Sequence, residues 1–252
     1  MSSPALPTRA PASVPAHELA LAAPLDRSFE GFGEEALQIL DRLRETPHIE
    51  QYRLEKEGIQ AHLKAPFKRF RDDLAVNFVL PNRLALETEK NVFSRLLKND
   101  FGAGGCHHHL WMAFYRLGHK RLTDVQLSHS IAPDHFTTGL YVGDYATEPL
   151  KRAQGYLHTA PETFLGLVNP LLDEPGWRLA SYAGTGKQKT RTRHETPLDA
   201  LPEAFAKARG LWVQRQLPRP EVLRRGPHLV DWALETLLDL WPIYRFWLSG
   251  AA

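Results

Sequence analysis

The chain has 252 residues, 43% of them hydrophobic, and its 31 basic and 29 acidic side chains nearly cancel. A length of this order buries roughly three quarters of the surface its unfolded form exposes, enough for one large domain or two small ones. One cysteine, Cys106, excludes an intramolecular disulfide framework and fits a reducing, cytoplasmic setting.

Residues 1–26 are rich in Ala, Pro and Ser and carry no apolar period, which predicts a disordered tail. Leu19 to Leu25 is too short, and lacks the basic flank, for a secretory signal. From Glu34 to Glu45, Leu37, Leu40 and Leu43 recur at three-residue spacing, a helix with one buried face. A second helical region starts near Ile49, with Ile59, Leu63, Phe67, Phe70, Leu74 and Phe78 along its stripe. Pro66 predicts a kink or break in it near Ala65.

Strands are predicted over 83–87, 106–116, 122–131 and 136–142, divided by turn signals at Gly118-His119-Lys120 and Pro133-Asp134. Connectors this short favour an antiparallel meander. Helices follow over 149–158 and 161–172, the second with Thr159 as its N-cap, then strands over 177–183 and 187–193 around a glycine turn. A helix over 197–209, a strand over 211–217 and a helix over 229–248 complete the chain. In the last helix Asp231, Glu235 and Asp239 lie four apart and form one wet stripe, and with Arg245 and Pro242 they exclude a membrane span. The pattern as a whole predicts one α+β domain over 27–250: a central antiparallel sheet with an N-terminal helical pair and C-terminal helices packed on it.

Several anchors resemble the family of conserved hypothetical proteins called domain of unknown function 2461. Leu40 and Leu43 fit its opening Leu-x-x-Leu, Tyr52 takes the place of a Phe, and Lys56, Leu63 and Pro66 fall in register. Phe93-Ser-Arg95-Leu-Leu-Lys98 is similar to its Arg-rich segment, with Lys98 replacing an Arg, and 210–217 and Leu240-Trp-Pro-Ile-Tyr244 are similar to its ending. Thr46-Pro47 stands where the family has Asn-Asn, Gln51 where it has Trp, and Leu96 where it has an acid. The Gly-Gly-Cys-His-His-His run replaces a Lys/Pro/Tyr segment. The resemblance spans 29–248 and implies an α+β fold; the family has no agreed activity.

Chemistry concentrates in two places. The first is the glycine-rich loop that runs into Cys106-His107-His108-His109. On a strand His107 and His109 share a face and His108 takes the other. Joined by either His129 or His135, together with a carboxylate such as Asp124 or Asp144, they would hold a divalent transition metal, since imidazole suits Zn, Fe, Cu or Ni. The plainer alternative is polar strand-edge histidines, and the spacing matches no named metal signature. Cys106 as a nucleophile would need a histidine from another strand to activate it.

The second place is basic. Between Arg178 and Arg225 eleven Lys/Arg stand against four acids, while the rest of the chain is net acidic. Lys187, Lys189, Arg191 and Arg193 alternate strictly, so a strand aims all four at one face, near Arg178 and Arg215. Such a face suits the phosphates of a nucleotide or nucleic acid, with Arg95 and Lys98 as further candidate anion ligands. The plainer alternative is a charged edge strand that blocks sheet-to-sheet aggregation. The segment ending in Gly186-Lys187 is not a P-loop, because Ser181 and Gln188 occupy the positions of its first Gly and its Ser/Thr. The tryptophans are assigned to the core.

Together these patterns favour a module that binds an anionic partner (nucleic acid, nucleotide or phosphate) through the basic strand. A metal-dependent hydrolytic or oxidative enzyme built on His107 and His109 is the alternative, and assembly with a protein partner is a third.

Overall fold

Helix α1 (Glu34–Glu45) opens the helical layer of the computed structural model, which describes residues 8–100, 102–185 and 188–251. Acids in its first turn and arginines in its last complement the helix dipole, and Leu37, Leu40 and Leu43 are fully buried. The second helical region is α2 (Ile49–Leu54), α3 (Lys56–Gly58), a π turn at Ile59–Lys64, α4 (Ala65–Leu74) and a second π turn at Ala75–Val79. Of the kink or break expected near Ala65, the break does not occur: the helical run continues through it, with a π turn ending at Lys64. The widened turn closes with Ala65 N–H on the Gln60 carbonyl, so the N–H that Pro66 lacks falls at the changeover back to α geometry.

Among the described residues seven strands form one sheet in the order β1-β2-β3-β4-β7-β5-β6, and every neighbouring pair is antiparallel. They are β1 (Leu86–Glu87), β2 (Leu110–Arg116), β3 (Gln126–Ala132), β4 (His135–Gly143), β5 (Trp177–Ala183), β6 (Thr190–His194) and β7 (Gly210–Pro218). The first four are the expected meander. β7 then inserts beside β4 and leaves the β5–β6 hairpin at the far edge.

Helices α5 (Thr147–Thr159), α6 (Pro161–Leu172), α7 (Arg219–Arg225) and α8 (Leu229–Ser249) complete the α+β arrangement. Phe67 and Phe70 of α4 and Trp232 of α8 converge on Phe136 of β4, with ring centroids 6.3, 5.2 and 6.2 Å apart. α8 is apolar on nearly every side, as a helix covered on both sides must be. Glu235 and Asp239 of its acidic stripe are exposed. Among the described residues no helix is long and apolar enough to cross a membrane.

Residues 8–26 correct the expectation of a disordered tail; 1–7 lie outside the described residues. Val14 is fully buried, and its carbonyl accepts from Trp241 Nε1 of α8 at 2.8 Å. Ala20 exchanges two hydrogen bonds with the Asn82 amide, and Asn77 and Asp73 hold the backbone at Asp26, Ser28 and Phe29. A segment without apolar period is thus fixed through its backbone, which composition does not reveal.

Smaller corrections have local causes. The expected strand 106–116 begins only at Leu110, and Cys106 makes an isolated bridge to Leu97. The expected strand 122–131 starts at Gln126, after a 3₁₀ turn at Arg121–Thr123. Residues 197–209 hold only a 3₁₀ turn at Glu203–Phe205. Pro197 and Pro202 disfavour a helix there, and the Asn169 amide takes both the N–H and the carbonyl of Leu198. Thr159 caps nothing: its hydroxyl bonds back to the Gly155 carbonyl, and the N-cap is Ala160.

Candidate anion-binding face

Directly opposed residues of an antiparallel pair share a face, so the register sorts the strands into two surfaces. One surface carries Leu110, Met112 and Phe114 of β2, His129 of β3, Phe136 and Leu140 of β4, and Val213 of β7, all buried beneath the helices. The other begins with a row of Trp111, Ser130, Thr137 and Gln216, followed by a row of Ala113, Ser128, Gly139, Gln214 and Arg178. A third row is Gln126, Tyr141, Trp212, Ala180 and Arg193, and a fourth is Gly143, Gly210, Tyr182 and Arg191. The aromatic contacts between helices and strands run to the first surface. On the second, Ser128, Ser130, Thr137, Tyr141, Trp212, Gln214 and Gln216 are part-exposed, while Ala113, Gln126 and Tyr182 are buried, so the open part of this face is the hydroxyls and amides at its centre with two aromatic rings beside them.

Along one side of this face lies an aromatic cluster. Tyr141 and Trp212 stack with centroids 4.7 Å apart and planes 25° from parallel, and Tyr182 leans on Trp212 at 5.1 Å. The tyrosine hydroxyls meet at 3.4 Å. Gly143 and Gly210 make room: a Cβ at Gly143 would overlap the Tyr141 hydroxyl, and one at Gly210 the Tyr182 ring. Burial and the neighbouring hydroxyl push the Tyr141 phenol well above its usual value, so it stays neutral. The assignment of the tryptophans to the core is corrected here. Trp177, Trp232, Trp241 and Trp247 are buried, but Trp212 and Trp111 belong to the open face.

Beyond the aromatics stands the cationic edge. Arg191 and Arg193 lie opposite Tyr182 and Ala180, both exposed and both on the open face, as the alternation predicts. Lys189 Nζ sits 3.5 Å from the Tyr182 ring centroid, a cation–π contact. Partial burial and the Arg191 charge pull the Lys189 ammonium below its usual value. Lys187 lies outside the described residues. Among those described, no carboxylate pairs with Lys189, Arg191 or Arg193.

The basic surplus of 178–225 is otherwise largely consumed. Arg178 pairs with Glu195 at 2.9 Å, Arg209 with Asp144 at 2.9 Å and Arg215 with Glu174 at 3.2 Å; Arg219 meets Glu34 and Asp41, and Arg224 meets Glu221. Arg215 is not beside the basic strand's face: its register partner Thr138 puts it on the helix side, over the Trp177 and Trp232 rings.

The other candidate ligands fall elsewhere. Arg95 and Lys98 are exposed on the segment along the outer side of β2, six strand spacings from β6, about 29 Å away. They do not join the Lys189–Arg193 edge. His107 and His109 do face one another, with centroids 5.1 Å apart, although the chain there is irregular rather than a strand. Burial first, then the neighbouring imidazole charges, lower His109 to about 4.

His129 is not with them. It lies under the sheet against Phe70 and Phe114, with Nδ1 3.0 Å from the Thr138 hydroxyl, and burial lowers it to about 3. Asp124 is spent on Arg116 at 2.6 Å and Asp144 on Arg209. Among the described residues no three His, Cys, Asp or Glu side chains are placed to hold a metal ion. The Cys106 thiol, 3.6 Å from the His48 carbonyl, is buried, and burial raises it further above neutrality. It is not an activated nucleophile.

The fold and this face define an α+β protein with a one-sided antiparallel sheet. No protein-family model matches the chain, and no curated protein matches it.

Proposed function

We propose that this protein is a cytoplasmic binding module that holds an anionic partner, a nucleic acid, nucleotide or phosphate, against the open face of its sheet. The observation that carries this reading is the pair Arg191 and Arg193, exposed, without carboxylate partners among the described residues, on the same face as Tyr141, Trp212 and Tyr182. Guanidinium groups in a row suit phosphate oxygens, which they bind in fork geometry. An edge strand charged only against aggregation has no need to aim its cations at one face beside an aromatic cluster.

The test uses heparin as a generic polyanion. The full chain should be retained on a heparin column and elute at raised salt, and Arg191→Glu/Arg193→Glu should elute at markedly lower salt with an unchanged circular dichroism spectrum. Equal elution of the two proteins would end this reading.

A further inference from the structure

We infer that the partner is single-stranded nucleic acid, its bases against the aromatic row of the open face and its phosphates along the edge strand. This narrows the anion-binding reading above and rests on it. Four features favour that occupant over a lone phosphate, a duplex or an acidic peptide.

The first is the aromatic row itself. Trp212 and Tyr141 sit part-exposed beside the part-exposed serine, threonine and glutamine side chains of this face. A phosphate or a carboxylate gains nothing from a ring, whereas an unpaired base offers a π-face that stacks on one. A duplex hides those faces inside its own stack.

The second is length. Arg191 and Arg193 stand two residue steps, about 7 Å, apart on β6, and Lys189 precedes the strand, so the cations extend further than one phosphate group can use. A linear polyanion uses all three.

The third is separation. Trp212 on β7 and Arg193 on β6 share a row with only Ala180 of β5 between them. Two strand spacings make that gap about 10 Å, within the combined reach of an arginine side chain and one nucleotide. Because Ala180 is small, no side chain of that row rises between ring and guanidinium.

The fourth is the floor. Gln214 lies beside Trp212 along β7, and Thr137 and Ser130 continue the polar surface across β4 and β3. These groups donate and accept in the way base edges and sugar hydroxyls require.

The experiment measures fluorescence anisotropy of a labelled oligothymidylate with the full chain, beside a duplex of equal length. The single strand should bind more tightly than the duplex, with a log–log salt slope of about −2 for three phosphate contacts. Trp212→Ala should weaken oligothymidylate binding about tenfold or more. Trp212→Phe, which keeps a ring, should restore most of the affinity. Because Trp212→Ala removes packing as well, tryptophan fluorescence of the unmodified chain gives a reading that needs no variant: oligothymidylate should quench it and heparin should not.

Equal binding of duplex and single strand, absence of quenching, or displacement of the oligonucleotide by polyglutamate at equal charge would each overturn the nucleic-acid inference. In those cases an Arg191/Arg193-dependent heparin retention would still uphold the anion reading. Loss of that dependence would remove both.

Discussion

At the scale of single residues, His129 shows how position outweighs residue type. Its register partner Met112 and its neighbours Phe70 and Phe114 put it in the apolar layer, where only the Thr138 hydroxyl answers it and its Nε2 has no hydrogen-bond partner among the described residues. This imidazole is a core side chain with one polar contact. Its folded value of about 3 lies below the unfolded value of roughly 6.5, so the unfolded chain binds the proton more readily. The stability that the neutral ring preserves is complete above about pH 6.5 and is lost as the pH falls toward 3. Between pH 6.5 and pH 5 the loss is about 2 kcal/mol at 1.36 kcal/mol per unit. His129→Leu should therefore shrink the fall in urea-unfolding stability between pH 7 and pH 5 by about that amount. A variant with the same pH dependence as the parent would show that the ring takes up its proton in the folded state.

At the scale of elements, one polar stripe on the second helical region carries more of the architecture than its apolar stripe suggests. Asp73, Asn77 and Asn82 lie four and five residues apart, and the π turn at Ala75–Val79 supplies the extra residue that keeps the third in line with the first two. Asp73 accepts from Ser28 N–H, its hydroxyl, and Phe29 N–H at 2.7–3.0 Å; Asn77 and Asn82 hold Asp26 and Ala20 in both directions. Asp73→Ala leaves two backbone N–H groups without their carboxylate and should cost about 3 kcal/mol in urea unfolding. Asp72→Ala, which removes only a half-exposed partner of Arg71, should cost less than about 1 kcal/mol. Similar costs for the two would mean that the stripe does not hold the N-terminal segment.

The same elements show what was legible. α1 was readable because leucines at three-residue spacing leave little choice, and so was the antiparallel meander, because its connectors are short. The facing of Arg191 and Arg193 was readable from strict alternation, but the strand expected over 187–193 begins only at Thr190, so Lys189 precedes it. The aromatic row was also within reach: Trp212 shares strand parity with Gln214 and Gln216, while Leu211, Val213 and Leu217 hold the other parity, so the pattern already puts that ring among polar residues. Residue type argued for the core and parity argued against it, and parity was right. The distance between Arg95 and Arg193 was beyond reach, because it depends on β7 inserting between β4 and β5, a choice made by contacts far apart in sequence.

At the scale of the whole molecule, α8 is the member on which both sides converge. Its Trp232 meets the sheet at Phe136, while its Trp241 meets the N-terminal segment through the Val14 carbonyl. A helix apolar nearly all round needs cover on both sides, and residues 8–26 supply the second. Burial of a single large apolar side chain contributes about 1.5–3 kcal/mol, and domains have only about 5–15 kcal/mol in total. Deleting residues 1–19 removes the Val14 packing, the bond to Trp241 and the Arg9–Leu84 bridge together, and opens the apolar flank of α8 to water. The shortened chain should lose its cooperative thermal transition, or melt well below the full chain with exposed apolar surface that binds a hydrophobic dye. A dispensable tail would leave the transition where it was. Because α8 meets the sheet through Trp232 and this segment through Trp241, mild N-terminal loss should act on the proposed oligonucleotide binding only through folding, with the two falling at the same temperature.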